Sequence, residues 1–180
     1  ATGIANGDDF LAATERDRPE RHGSIQAVIE QAWSMLSDAE RQICQQLAVF
    51  PGSFRPAEAM AAAACSRQQL TGLLDKSLLQ RAPHARLKFH QLVRQHAHEQ
   101  LTAVPEALAG AQERHGRVYA ARFQRYNDAI RGKRSMEEAT LIGEDLENAR
   151  AAWAWAVARR DVEAIAALNA GLADCLHLMT

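Results

Sequence analysis

Residues 73–101 read LLDKSLLQRAPHARLKFHQLVRQHAHEQL, and the fold turns on this stretch. Leu73 and Leu74 close an apolar face begun at Leu70, which marks the end of a helix. The next segments, 77–81 and 85–89, are each about five residues, a usual strand length. Pro83 lies between them; it has no N–H for a ladder and belongs in the connecting turn. From His90 onward Leu92, Val93, Ala97 and Leu101 recur at helical spacing. The reading is helix, two short strands and helix, with no spare residue between them.

The rest of the chain reads as helix. Its 180 residues are 47% hydrophobic and 24% charged, an ordinary globular balance with room for one or two domains. Much of the apolar share is Ala, while Gly and Pro are sparse, which favours close-packed helices. A net charge of −1 gives no global attraction to nucleic acid or anionic membrane. No apolar run approaches the roughly 20 residues that span a bilayer. Cys44, Cys65 and Cys175 are odd in number and contain no CxxC pair, so they read as buried reduced thiols of a cytoplasmic protein. The chain starts without Met and ends on an amphipathic helix with no stop signal, which reads as a piece of a longer protein.

Working outward, residues 1–23 are polar and read as a linker or the tail of a preceding region. Ser24 is a good N-cap. After it Ile25, Val28, Ile29, Ala32, Trp33 and Leu36 form an amphipathic stripe. Ser37 or Asp38 caps a helix bearing Ile43, Cys44, Leu47 and Ala48, and Phe50-Pro51-Gly52 ends it. Pro56 opens a third helix, with Met60, Ala61 and Ala64 expected inward. Ser66 caps a fourth, with Leu70, Leu73 and Leu74. A weak boundary follows at 102–110, around Pro105 and Gly110. Beyond it Val118, Phe123, Tyr126 and Ile130, then Leu141, Ile142, Leu146, Ala149, Trp153 and Ala156, sit at helical spacing around a Gly132-Lys133-Arg134 turn. Asp161 caps a last helix with Val162, Ile165, Ala166, Asn169, Leu172, Ala173 and Leu176 on one stripe. Leu172 and Leu176 would leave an apolar face open to a neighbour. The expected fold is mainly α: a winged-helix domain of helices plus a two-stranded β-hairpin, then an α-helical hairpin or solenoid segment. The expected divisions are 1–20, 21–103 and 104–180.

No reaction machinery is written in the chain. Gly132-Lys133 is followed by Arg134 and lacks the leading Gly of a phosphate loop. His98-Glu99 does not continue into HExxH, and no GxSxG surrounds Ser53. His84, His90, His96 and His98 are dense, but Arg94 occupies the position one turn beyond His90 where a second helical ligand would sit. His96 falls on the apolar stripe and reads as a core histidine. No catalytic or metal-binding set is expected, and the chain is not expected to be an enzyme.

The segment ERHGSIQAVIEQAWSMLSDAERQICQQLAVFPGSF, then LTGLLDKSLLQ, then LKFHQLVRQHAHEQL, resembles the winged-helix module of STAND nucleotidases, signal-transducing ATPases that include NB-ARC proteins. The likeness is to bacterial regulators of that class, and it extends over most of the chain. EDLENARAAWAWA, residues 144–156, is similar to the opening of their tetratricopeptide-like array, with Ala149 where the pattern has Leu. The resemblance implies that 1–20 is the tail of an upstream ATPase core that binds ADP or ATP with Mg, while this fragment holds no cofactor. It implies that the winged helix docks on that core and that the helical repeats sense a protein or small-molecule effector. The family's MHD motif falls on Phe89, His90 and Gln91. The resemblance gives His90 the role of reaching the ADP β-phosphate in the resting state, and Gln91 stands where the motif has Asp. A histidine at a helix N-terminus suits an anion.

The alternative is a DNA-binding winged helix of a transcription regulator. The candidate helix carries Arg67, Gln68, Gln69 and Lys76, and the wing adds Arg81, Arg86 and Lys88. From Ser66 to Lys88, Arg67, Lys76, Arg81, Arg86 and Lys88 stand against Asp75 alone, a local charge of +4. That is modest for a surface that must neutralise several phosphates.

Overall fold

The computed structural model describes the backbone of residues 27–130 and 136–169 and the side chains of 27–126 and 143–169. The expected linker at 1–20, the Ser24 cap, the 131–135 turn and the apolar positions Leu172 and Leu176 lie outside these residues. The chain falls into two compact units, 1–37 and 38–180. In the first, helix α1 covers 27–34, and Ile29 is buried while Val28, placed on the same stripe by the sequence, is exposed.

The second unit is mainly helical with one small antiparallel sheet. Helix α2 (Asp38–Leu47) buries Ile43, Cys44 and Leu47, followed by Ala48 and Phe50. Helix α3 (Pro56–Ala63) has Pro at its first position, where a missing N–H goes unneeded. Its inner face is Glu58, Ala59, Ala62 and Ala63; Ala61 and Ala64 are exposed and Met60 is half-buried, the reverse of the sequence expectation. Glu58 faces inward because its carboxylate is paired there with Tyr119 and Arg122, and the helix is rotated accordingly. Ser66 caps α4 (Arg67–Asp75), accepting from the Gln69 amide at 3.2 Å while the Gln69 side chain accepts from Ser66 N–H at 2.8 Å. The next residue after the Lys76 cap, Ser77, is left-handed (φ 59°), and Leu78 N–H returns to Leu73 O at 3.0 Å.

Strands β1 (Leu79–Ala82) and β2 (Arg86–Phe89) form the expected hairpin, each beginning a residue or two later than the expected segment. Ser77 belongs to the helix cap, and Pro83, His84 and Ala85 make the turn, with φ of 53° and 56° at the last two. Leu79 faces Phe89 and Arg81 faces Leu87 on one side; Gln80 faces Lys88 and Ala82 faces Arg86 on the other. Phe54 adds a bridge on the free edge of β2, exchanging both backbone hydrogen bonds with Leu87 at 2.8 and 2.7 Å. Helix α5 (Gln91–Thr102) buries Val93, Ala97 and Leu101.

The break expected at 102–110 shrinks to Ala103 and Val104. Pro105 starts α6 (Pro105–Ile130), and Gly110 lies inside it. Helix α6 packs on α2, α3, α5 and α7 (Met136–Arg159), so the segment after 104 shares its unit with the hairpin. The buried stripe of α7 is Asp145, Asn148, Ala149, Ala152, Trp155 and Ala156. Trp153, expected inside, is 38% exposed and donates to Asn169 Oδ1 at 2.8 Å. Trp155 lies against Gly116 of α6 so closely that a Cβ there would meet its ring at 2.2 Å. Asp161 caps helix α8 (162–169), accepting from Ala164 N–H at 3.0 Å. The buried residues of α8 are Ala164, Ala167 and Leu168, while Val162 and Ala166, expected on the stripe, are exposed.

Candidate functional site

Two features flank the side of the hairpin that carries Gln80, Lys88 and Arg86: an open groove at the start of α5 and a buried ion cluster beneath it. The groove forms because β2 runs straight into α5. His90 is the N-cap residue, extended (φ −61°, ψ 128°), and its side chain makes no capping bond. The partial positive charge of the first-turn amides is therefore directed out of the helix end. His90 is exposed and lines a groove of about 610 Å³ with Gly52, Gln80, Lys88, Arg94 and Glu147.

Gln80 and Lys88 are cross-strand partners, and Arg94 sits one turn beyond His90, its N–H bonding to His90 O at 3.0 Å. Lys88 and Arg94 have no ion-pair partner among the described residues. Glu147 enters from α7 with its Oε2 beside Gly52, 2.8 Å from where a Cβ would stand. Two free cations, an imidazole and a helix N-terminus suit a phosphate group. The single carboxylate is the only anion in the lining, and no group of three or more His, Cys, Asp or Glu able to hold a metal exists among the described residues. Gln91 lines the same groove and is exposed.

Beneath the hairpin lies a cluster that the sequence reading does not anticipate. Arg86 is 1% exposed. Its Nη2 donates to Asp145 Oδ1 at 2.7 Å and to Ser53 O at 2.6 Å, and its Nε donates to Ser53 Oγ at 2.8 Å. Asp145 Oδ2 accepts from Arg122 Nε at 2.6 Å and from Tyr126 at 3.1 Å. Arg122 Nη1 faces Glu58 Oε1 at 2.9 Å. Glu58 Oε2 accepts from Arg55 N–H at 2.9 Å and from Tyr119 at 3.2 Å. Asn148 donates to Ser53 O at 2.7 Å. At the rim, the His84 ring contacts the Glu144 carboxylate. Glu144 and Asp145 thus tie the front of α7 to the hairpin, and Asn148 ties it to Ser53 beside the hairpin. The sequence did carry a signal: Asp145 and Asn148 stand at helical spacing with Ala149, Ala152 and Ala156.

Burial raises the phenol of Tyr126 to about 12, with Asp145 adding to the rise, and raises Tyr119 still further. Burial alone would lower Arg122, but Glu58 and Asp145 outweigh it and the guanidinium is held more firmly protonated. Burial lowers His115, packed edge-on against Phe50 at 4.6 Å, to about 4, partly opposed by Asn148. Burial raises the Cys44 thiol to about 12, with Glu40 adding to it, so it is an inert core thiol.

The residues of the DNA reading do not form one face. Arg86 is withdrawn into the ion cluster, a correction to its place in that set: a buried guanidinium bound to Asp145 cannot reach a phosphate backbone. Lys76 Nζ is held by Glu40 at 2.7 and 2.8 Å. Lys88 lines the His90 groove, while Arg67 and Arg81 line a different groove against α4. Gln68 is exposed on α4. Among the described residues no helix is long and apolar enough to cross a membrane. The chain matches no protein-family model, and no curated protein matches it either.

Proposed function

We propose that this chain is a non-catalytic regulatory segment of a signal-transducing ATPase of the STAND class, working in the cytoplasm. Helices α2–α5 with the hairpin act as a winged-helix module that docks on an upstream nucleotide-binding core. Helices α6–α8 begin a tetratricopeptide-like array that senses a ligand or protein. Effector binding biases a closed–open equilibrium of the parent protein, the usual logic of such a switch.

The observation that carries this reading is the exposed imidazole of His90 at the N-terminus of α5, in one groove with Lys88 and Arg94. In the resting parent protein the imidazole donates to a phosphate of ADP held by the core, and the two cations hold the same charge electrostatically. The test is ADP retention by the full-length parent after gel filtration. His90→Ala is expected to lose the nucleotide; retention equal to wild type overturns the phosphate role.

A further inference from the structure

The hairpin has a second side. Against α4 it forms a separate groove of about 370 Å³. Its apolar lining includes Pro56, Leu70, Leu74 and Leu87; Leu70 and Leu87 are buried in the core, whereas Leu74 and Pro56 are half-buried. Arg67 stands on one bank and Arg81 on the other, both exposed; Arg86 also lines the groove but is buried and held by Asp145.

Neither arginine has an ion-pair partner among the described residues. Neither is compensated by its local surroundings. Arg67 is the first residue of α4, where the helix end is partly positive and disfavours a cation. Arg81 has Leu87 as its cross-strand partner, which offers no charge. The cations that could have extended a phosphate-binding track are taken elsewhere: Arg86 by Asp145, Lys76 by Glu40, and Lys88 lines the other groove. Duplex DNA needs a path of several cations, and two arginines flanking an apolar floor do not supply one. The arrangement fits an occupant with an apolar centre and a carboxylate at each end.

We propose that the groove between α4 and the hairpin docks an acidic amphipathic protein segment, whose apolar side chains lie over Leu74 and Pro56 and whose Asp or Glu residues pair with Arg67 and Arg81. Docking here leaves the His90 groove free, because the two grooves share no lining residue.

The test is selection of a random twelve-residue peptide display library on the intact chain, followed by fluorescence anisotropy with the selected peptides. The selected sequences are expected to carry acidic residues on both sides of an apolar pair. Arg67→Glu/Arg81→Glu should weaken them by roughly tenfold or more, the loss expected for charge pairs at an interface. Arg67→Gln/Arg81→Gln, a milder change, should weaken them less, and thermal melts of both variants should fall no lower than wild type, with relief of the cation at the start of α4 acting to raise them. His90→Ala should bind as wild type does. The proposal is overturned if no peptide is enriched, if enriched peptides lack net negative charge, if they bind Arg67→Glu/Arg81→Glu unchanged, or if a random-sequence 20-base-pair duplex binds in their place through the same two arginines.

Discussion

Arg86 shows how a single residue resets a surface. A basic residue on a short hairpin strand two positions from Lys88 reads as a solvated cation; in the fold it is the buried centre of a network linking Ser53, Asp145 and Asn148. Sequence periodicity could not assign it, because its partners are distant in the chain: Ser53 lies 33 positions before it and Asp145, on α7, 59 positions after it. Removing one member leaves uncompensated buried charge: Asp145→Ala should cost about 3–5 kcal/mol of unfolding free energy. Replacing both, Arg86→Met with Asp145→Leu, should cost less than the two single changes summed, as a urea double-mutant cycle would read. His90 is the opposite case. The sequence places it at a helix start, and it stands there, exposed. His115 sets a pH dependence. Its folded pKa is depressed to about 4 from 6.5, so in that interval the unfolded chain binds the extra proton. Its contribution is therefore complete above about pH 6.5 and lost as pH falls toward 4, on the order of 3 kcal/mol. Urea midpoints at pH 7 and pH 4.5 should differ less in His115→Phe than in wild type.

At the level of elements, existence and order were legible, as were the buried faces of α2, α4 and α5, whereas the faces of α3, α7 and α8 were not. The hairpin, the Ser66 and Asp161 caps and the Pro56 start follow from residue types with local mechanisms. The turn keeps the expected three residues but sits one position later, at 83–85, because His84 and Ala85 take left-handed backbone without a Gly or Asn to announce it. Ala-rich helices also carry a weak facing signal: an Ala serves on either side, and the non-Ala residues that mark the inward faces are Glu58 on α3 and Asp145 and Trp155 on α7. Two glycines separate packing from propensity. In α4, a Cβ at Gly72 would approach only Glu40 Oε1, at 3.9 Å, so Gly72→Ala should stabilise by about 0.5–1 kcal/mol. In α6, a Cβ at Gly116 meets the Trp155 ring at 2.2 Å, so Gly116→Ala should force α6 and α7 apart and destabilise by about 1–3 kcal/mol or more. Thermal melts of the two variants should move in opposite directions.

At the scale of the molecule, the front of α7 joins two things the sequence treats separately, the acidic-Asn run and the hairpin. Ser53 O accepts from both Arg86 and Asn148, while Ser53 and Glu147 line the His90 groove. A displacement of α7 therefore changes the groove, and an anion in the groove acts on Glu147 and on the hydrogen bonds at Ser53. On the proposed reading, this gives the helical segment a physical route to the groove at the start of α5. The measurement that bears on it most directly is an NMR titration of this chain with inorganic pyrophosphate at low salt. The amides of His90, Gln91 and Leu92 should shift saturably, with the response weakened by Lys88→Ala and by added salt. Shifts spread over the surface without saturation, or saturating shifts that leave the start of α5 untouched, would contradict the assignment.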